Sequence, residues 1–532
     1  MEKTQKTGQS SHMQERRKKA KEITAEIGNS VLTAYFLVMM ILYPLYIKNG
    51  YQEIGNVKYY FFRNVTLVTI GIILLLTICS FLLQRKEITM AMHYKRLSIA
   101  DWFLYAYLLS LLFSYLFTVY RKEAFWGTNG WYMGCMSQLM FVGIYFGFSR
   151  YFRWHNNMLY AALAGSALIF ILGILNRYSI YPIKISGQTP AFIATMGNIN
   201  WFCGYWSVIF PLGVMLYWNG RGKYTQTAAG IYVIIGFLIG VVQGSNSAYL
   251  ALAGIFMLLF CLSFRDNRAM CRFLEICILF ALSCQIARVL RYLPNTEMNY
   301  EDKLGLVMTD TNLTLYFGII IGILYLWFRL LMKRKNYQLA RHKGIRQIGI
   351  VLFILTGVGY FLLLIINTCL PGGIPGLAGR QTFTFNETWA SSRGATWTSG
   401  WSAFVSTSFL HKLVGVGPDC FAEYLYAVPE LAKRAYAQFG TSRLTNAHNE
   451  WLTILVNQGI LGLFSYVGFF GSAFVRFIKK ASSQPALYLC AASVLTYTVH
   501  NIVSFQQVLN VPFVFIILGI GEGLCKKIQE KK

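Results

Sequence analysis

Apolar runs of about 18 residues or more recur along the whole chain. A run of that length crosses roughly 30 Å of hydrocarbon as a helix. Lipid offers no hydrogen-bond partners to backbone N–H and C=O groups, so a crossing segment must satisfy them within its own helix. About fourteen segments fit, near 30–48, 65–83, 100–120, 131–148, 158–175, 200–218, 227–243, 247–264, 272–290, 313–332, 347–369, 448–474, 486–502 and 507–524. Because apolar residues make up 55% of the chain, a set of soluble domains is excluded. The sequence therefore predicts an all-α polytopic membrane protein.

The distribution of Lys and Arg predicts how these helices are oriented across the membrane. With the N-terminus inside, most of the 48 Lys and Arg fall in cytoplasmic segments, as the positive-inside rule requires. The densest inner clusters are Lys333, Arg334, Lys335, Arg341, Lys343 and Arg346, and the C-terminal Lys526, Lys527, Lys531 and Lys532. This alternation predicts that both termini are cytoplasmic. It also accounts for the net charge of +27 without a nucleic-acid partner.

The topology divides the chain into five parts. Residues 1–29 form a cytoplasmic tail, 30–369 carry helices one to eleven, and 370–447 form a large extracytoplasmic loop. Residues 448–525 carry helices twelve to fourteen, and 526–532 end the chain inside. We expect the large loop to fold back over the membrane domain and to cover an active site, because long loops in compact proteins are usually functional or disordered and this one is rich in aromatic residues.

Amphipathic helices are predicted within that loop. The apolar side chains at helical spacing are Trp397, Trp401, Phe404, Val405 and Phe409. A second helix is predicted from Glu423 to Gln438, with Pro429 interrupting it.

Motifs for nucleotides and metals are absent from the sequence. There is no GxxxxGK[ST] loop, no HExxH pair and no D-x-D. Gly415-Val416-Gly417-Pro418 lacks the third glycine of a dinucleotide fingerprint and a preceding strand. The 11 cysteines show no CxxC spacing. An enzyme built on this chain is expected to need no cofactor and no metal.

His448 is the histidine that we select as catalytic. Asn446 is a plausible N-cap for the helix after the large loop, which would place His448 in the first turn. The partial positive charge there would keep the imidazole neutral, and free N–H groups could bind a phosphate. A lone interfacial His is more often structural. His500 repeats the His-Asn dipeptide, and we interpret it as a helix-end or packing residue.

Arginines in the segments assigned to the extracytoplasmic side depart from the positive-inside rule, so their presence there needs an explanation. Those considered are Arg288, Arg291, Arg380, Arg393 and Arg443. Snorkelling to headgroups explains any single one, whereas a guanidinium is also the natural partner of a pyrophosphate. Arg393 is preferred because it directly precedes the aromatic helix that leads toward His448.

Several ordered blocks between residues 197 and 462 resemble one family. The blocks are GNINWF at 197–202, GSNSAYL at 244–250, Arg393 with Trp397, GVGPDCF at 415–421, HNEWL at 448–452 and QGILG at 458–462. Their order and spacing around a large outer loop are similar to those of the bacterial O-antigen ligase and O-antigen polymerase (Wzy/WaaL) family. The first half of the chain matches only in being multi-helical.

The resemblance implies a metal-independent glycosyltransferase of the GT-C type. Its donor would be a polyprenyl-diphosphate-linked glycan, with His448 as general base. The residues expected to bind substrate are Arg393, Arg380, Asn198, Asn200, Asn246, Asn449 and Trp397. Family members often carry an Arg where this chain has Asn246. Either Arg288, Arg291 or Arg380 replaces it, or this subgroup holds its donor differently.

The implied location is the bacterial cytoplasmic membrane, with an extracytoplasmic site. Its partners would be the donor, a glycan or lipid-linked acceptor, membrane lipids and other polysaccharide-assembly proteins, without nucleic acid. A polymerase is favoured over a ligase of the same family. A lipid-linked oligosaccharide flippase is the alternative of another class. Flippases need intramembrane charges, whereas the charges of this chain are expected to avoid the helices. A cell-wall polymerase of the shape and division type shares the architecture but lacks the HNxxL block.

Overall fold

The computed structural model describes residues 2–84, 97–293, 297–299, 302–333 and 343–530. Its described part is almost entirely helical, and fourteen long helices overlap the fourteen predicted segments. They are Glu2–Leu37, Ile54–Gln84, Ile99–Phe117, Cys135–Tyr151, Asn156–Arg177, Ile199–Asn219, Lys223–Val242, Ser247–Ser263, Asn267–Arg291, Leu313–Lys333, Lys343–Cys369, Glu450–Lys480, Ala486–His500 and Val511–Glu530. The all-α prediction is therefore confirmed. Of the basic residues used for orientation, Arg334, Lys335, Arg341, Lys531 and Lys532 lie outside the described residues.

Ten helices in the described ranges are long and apolar enough to cross a membrane. Three of the other four, Cys135–Tyr151, Ser247–Ser263 and Ala486–His500, are only 15 to 17 residues long. The fourth, Val511–Glu530, carries Glu522 and two lysines in its second half. Length and composition thus support ten spans directly.

Shorter elements complete the described fold. Helices Arg121–Trp126 and Lys303–Asp310 lie between long helices, and Phe192–Ile193 pairs antiparallel with Gly197–Asn198. The first long helix continues through a π-helical turn, Val38–Leu42, into Tyr43–Leu45.

The large loop contains four helices. They are Trp389–Ser406, Phe409–Val414, Phe421–Ala427 and Pro429–Phe439. The predicted aromatic helix is present but ends at Ser406, so Phe409 starts a separate helix. The second predicted helix is two helices, because Pro429 occupies the first turn of a new one, where its missing N–H costs nothing.

The membrane domain packs around one extended apolar core. Helix Ile99–Phe117 lies along Glu450–Lys480, and Ile199–Asn219 lies along Ala486–His500. Most side chains of Leu313–Lys333 and of the following long helix remain exposed, so these two helices lie at the periphery. The chain after the large loop is therefore central to the domain.

Charges do not avoid the helices, contrary to the expectation from sequence. Lys58, Asp101, Arg177, Glu450 and Glu522 are all buried within helices. Four of them lie near a helix end, whereas Glu522 lies in the middle of helix Val511–Glu530. Each has partners: Lys58, for example, donates to two backbone carbonyls at 2.5 and 2.9 Å. Such pairing is the usual condition for burying charge.

Candidate active site

His448 lies just before the helix Glu450–Lys480, and its backbone is left-handed, with φ of +48°. The prediction that Asn446 caps this helix is wrong. Asn449 is the N-cap, because its extended backbone lets its side chain accept a hydrogen bond from Leu452 N at 3.0 Å. Asn446 instead accepts from the backbone N–H of His448 at 2.9 Å. His448 is thus held in a turn outside the helix, in a conformation that is unusual for a non-glycine residue and common at functional sites.

A cavity of about 370 Å³ opens beside the His448 ring. Its polar lining includes Asn200, Asn246, Arg393 and Arg443 as well as His448. These residues come from four separate parts of the sequence, at 200, 246, 393 and 443–448. The folded chain brings together four of the eight predicted site residues at this cavity.

Arg393 supplies a buried positive charge to the cavity wall. Residues 390–392 are left-handed, so the regular helix begins at Arg393 and directs its side chain inward. Arg393 is 9% exposed as a residue, with Nε donating to Val503 O at 2.8 Å and Nη1 to Ala390 O at 3.0 Å. Both partners are neutral carbonyls, and no carboxylate in the described part of the chain pairs with Arg393. A buried cation without a counter-ion at a cavity wall favours an anionic ligand.

The imidazole of His448 is held neutral by its surroundings. Burial, followed by the positive charge of Arg393, lowers the pKa of His448 to about 4, while a backbone hydrogen bond with Asn446 opposes this shift. The ring packs edge-to-face on Phe505 at 5.2 Å. Its Nδ1 is buried and has no hydrogen-bond partner among the described residues. The predicted neutral state thus has a different cause from the helix-end charge that we expected.

Asn200 and Asn246 connect two of the sequence blocks at the cavity. Asn200 Oδ1 accepts a hydrogen bond from Ser245 Oγ at 2.7 Å, which ties the 197–202 block to the 244–250 block. Asn246 precedes helix Ser247–Ser263 but makes no capping hydrogen bond, so its exposed amide remains available to a ligand.

Four predicted substrate-binding residues do not line the cavity. Asn198 and Asn449 are helix caps, and the side chain of Asn198 accepts from Asn200 N at 2.9 Å. Trp397 packs edge-to-face on Trp389, and the side chain of Arg380 is exposed. Capping explains both asparagines, because a side chain engaged by its own backbone is not free for a ligand.

Arg288 and Arg291 do not line the cavity either. Arg288 donates to Asn312 Oδ1 at 2.8 Å, and Arg291 contacts the sulfur of Met298 at 3.4 Å. Neither occupies the place beside Asn246 that the missing family arginine would fill.

Sequence reasoning missed Glu450, which lies directly below the site. Its buried carboxylate accepts hydrogen bonds from Tyr466, Tyr497 and Asn501, and its backbone N–H donates to Asn501 O at 3.0 Å. The network fixes the start of the helix against the segment that carries Phe505. An acidic residue at the start of an apolar helix was the available signal.

Two glycine blocks dock against each other beneath the large loop. Gly459 interrupts helix Glu450–Lys480 with φ of +69°, which frees the carbonyls of Val456 and Asn457. Val416 N and Gly417 N donate to these carbonyls, each at 3.0 Å. A Cβ on Gly415 would lie 2.2 Å from Asn457 O, so this contact requires glycine. The GVG turn is therefore a packing element and does not line the cavity.

Among the described residues, no group of three or more His, Cys, Asp or Glu side chains is placed to hold a metal ion. The polar chemistry of the cavity is that of guanidinium, imidazole and amide groups. Such a set can bind an anion and accept a proton.

Residues 304–467 match the protein family Wzy_C, described as O-antigen ligase. The matched range contains the large loop, Arg393, Arg443 and His448, whereas Asn200 and Asn246 lie outside it. No curated protein matches the chain. The predicted resemblance to the O-antigen ligase and polymerase family is thus confirmed over this range, and the helices make the chain a multi-pass membrane protein.

Proposed function

We propose that the chain is a membrane glycosyltransferase that moves a glycan from a polyprenyl-diphosphate-linked donor to an acceptor hydroxyl. The single observation that carries this proposal is the pairing of an uncompensated buried cation, Arg393, with a neutral imidazole, His448, at one cavity. An anionic leaving group needs the first and a hydroxyl nucleophile needs the second. The O-antigen ligase match supports the same reaction class.

The reaction forms one bond and breaks one. The acceptor oxygen bonds to the anomeric carbon of the donor glycan, while the bond from that carbon to the diphosphate oxygen breaks and its electron pair leaves with the diphosphate. His448 takes the hydroxyl proton, a contribution of about 10²–10⁴-fold for a positioned base. Arg393 stabilises the charge that develops on the diphosphate.

The amides complete the proposed site. Asn200 and Asn246 hydrogen-bond sugar or phosphate oxygens from the opposite wall of the cavity. Asn198 and Asn449 act indirectly, by fixing the helix ends that carry Asn200 and follow His448. The packing of Trp397 supports the helix that presents Arg393.

The proposal includes fourteen crossings with both termini cytoplasmic. Two observations support it. A helix accompanies each predicted segment. The lining residues Asn200, Asn246, Arg393, Arg443 and His448 all fall in segments assigned to the outer side, although that assignment used charge alone. The site would then face outward from the bacterial cytoplasmic membrane, where polyprenyl-linked glycans are used without ATP.

Within this class we propose a polymerase that joins surface polysaccharide repeat units. The acceptor is then a second lipid-linked glycan, and growth repeats at the same cavity. A ligase of the same family would use the same residues and differ in transferring the glycan once, to a lipid or another envelope acceptor.

The test uses the full-length protein in liposomes with a polyprenyl-diphosphate-linked oligosaccharide as donor and acceptor. The wild type should produce a ladder of longer glycans, and H448A should lower the initial rate by about 10²–10⁴-fold. H411A is the matched control, because His411 also lies in the large loop but does not line the cavity. Thermal unfolding in detergent verifies that each variant is folded.

Three results would count against the proposal. Full activity of folded H448A would show that His448 is not the general base. Movement of the lipid-linked glycan across the bilayer without bond formation supports the transporter. A single transfer to an added acceptor, with no ladder, supports the ligase.

A further inference from the structure

Arg443 is the second arginine at the cavity, and unlike Arg393 it already has an acidic partner. Its guanidinium forms an ion pair with the carboxylate of Glu423 and lies over the Tyr426 ring, 5.6 Å from the centroid. Leu444 N donates to the Tyr426 hydroxyl at 2.9 Å, so the backbone beside Arg443 is tied to the same ring. These contacts hold the base of the side chain at the cavity rim.

The pair with Glu423 is well suited to exchange. The Arg443 side chain is 50% exposed and makes the contact through one nitrogen, Nη2. Exposed ion pairs add little stability, because water and salt screen them. A diphosphate carries more negative charge than a carboxylate and offers several oxygens in the geometry that a guanidinium fork matches.

Arg443 is also a candidate to replace the family arginine whose position Asn246 occupies in this chain. The cavity contains this amide where a family arginine is often found, and of the five outer arginines considered from the sequence only Arg393 and Arg443 line it. Arg393 is fixed by two backbone carbonyls, whereas Arg443 is half-exposed at the rim and paired with one carboxylate.

We infer that Arg443 is the second diphosphate-binding residue, and that it leaves Glu423 for the donor when the donor enters. Glu423 is its resting partner. The inference rests on the proposed function and adds a competition, in which the Glu423 carboxylate and the donor diphosphate contend for one guanidinium.

The competition predicts opposite effects from removing its two members. The probe is farnesyl diphosphate, which has the diphosphate and a short prenyl chain but no glycan. R443A should weaken its binding to the full-length protein about 10-fold or more, because a charge-assisted contact is lost. E423Q should strengthen binding about 2- to 5-fold, because the competitor no longer carries charge. R434A is the matched control, since Arg434 is exposed on the same loop and does not line the cavity.

A double-mutant cycle makes the test specific. In the R443A background, E423Q should leave the affinity within about 2-fold of R443A alone, because the effect of Glu423 passes through Arg443. A gain in affinity of similar size in both backgrounds overturns the inference, as does unchanged binding by R443A. If R443A does not fold, R443K and E423Q still decide: R443K must weaken binding and E423Q must strengthen it.

R393A separates this inference from the proposed function. Loss of probe binding in R393A with wild-type binding in R443A overturns the inference alone. A wild-type protein that does not bind farnesyl diphosphate at all overturns both.

Discussion

The pH dependence of glycan transfer tests whether His448 is the base. Burial and the charge of Arg393 place its pKa at about 4, well below the usual value of 6.5. At pH 5.5 a group with a pKa of 4 is about 97% neutral, whereas an unperturbed histidine is about 9% neutral. The structure therefore predicts that transfer at pH 5.5 keeps nearly all of its rate at pH 7.5, while a site with an ordinary histidine would keep about a tenth.

The quantity to measure is kcat/KM of the purified protein between pH 4.5 and 8, from initial rates at low donor concentration. This ratio reports the ionisation of the free enzyme. The acid limb should lie below pH 5.

R393Q supplies the second half of the test. Removing the guanidinium charge removes one cause of the low pKa, so the acid limb of R393Q should move to higher pH while the overall rate falls. R434Q, which changes an exposed arginine of the same loop, should alter neither. An acid limb near 6.5 in the wild type, or an unmoved limb in a folded R393Q, refutes the assignment.

Two further predictions concern stability and are read from thermal unfolding in detergent. Burial raises the pKa of Asp419 to about 7, and one of its oxygens accepts from Thr128 N at 2.7 Å and Met133 N at 3.0 Å. Between pH 4 and 7 the folded state keeps a proton on Asp419 that the unfolded chain releases, so the stability of the fold falls as pH rises. D419N keeps an acceptor oxygen without the charge and should therefore unfold at a higher temperature than the wild type at pH 8. An equal or lower unfolding temperature contradicts this prediction. G459A should destabilise by roughly 1–3 kcal/mol or more, since φ is positive and the new Cβ would lie 2.3 Å from a backbone oxygen, whereas G471A on the same helix meets open space and should not.

The helices were predictable because each is specified by its own residues. An apolar run of sufficient length must be helical in lipid wherever it occurs, so the fourteen segments needed no knowledge of their neighbours. The helix start before His448 was harder, because Asn446 and Asn449 both have N-cap chemistry. Only the backbone geometry shows that Asn449 is the residue that caps the helix.

The cavity was less predictable because it is assembled from residues far apart in sequence. Arg393 and His448 were found through chemistry and order, whereas nothing local distinguishes Arg443 from Arg380. One lines the cavity and the other is exposed on the loop surface. Glu450 was missed for a related reason: the two tyrosines and the asparagine that hydrogen-bond to its carboxylate lie 16 to 51 residues further along the chain.

The placement of Arg393 beside His448 has a consequence for the order of events. In the free enzyme the uncompensated guanidinium charge weakens the base, because it disfavours the imidazolium. When a diphosphate binds Arg393, its negative charge offsets that of the guanidinium, so the pKa of His448 must rise in the complex. In the proposed mechanism the base therefore becomes stronger only once the leaving group is in place. For the pH profiles this means that the acid limb of kcat must lie at higher pH than the acid limb of kcat/KM, and that the separation must shrink in R393Q. Coincident limbs in the wild type would show that the diphosphate does not bind beside the histidine.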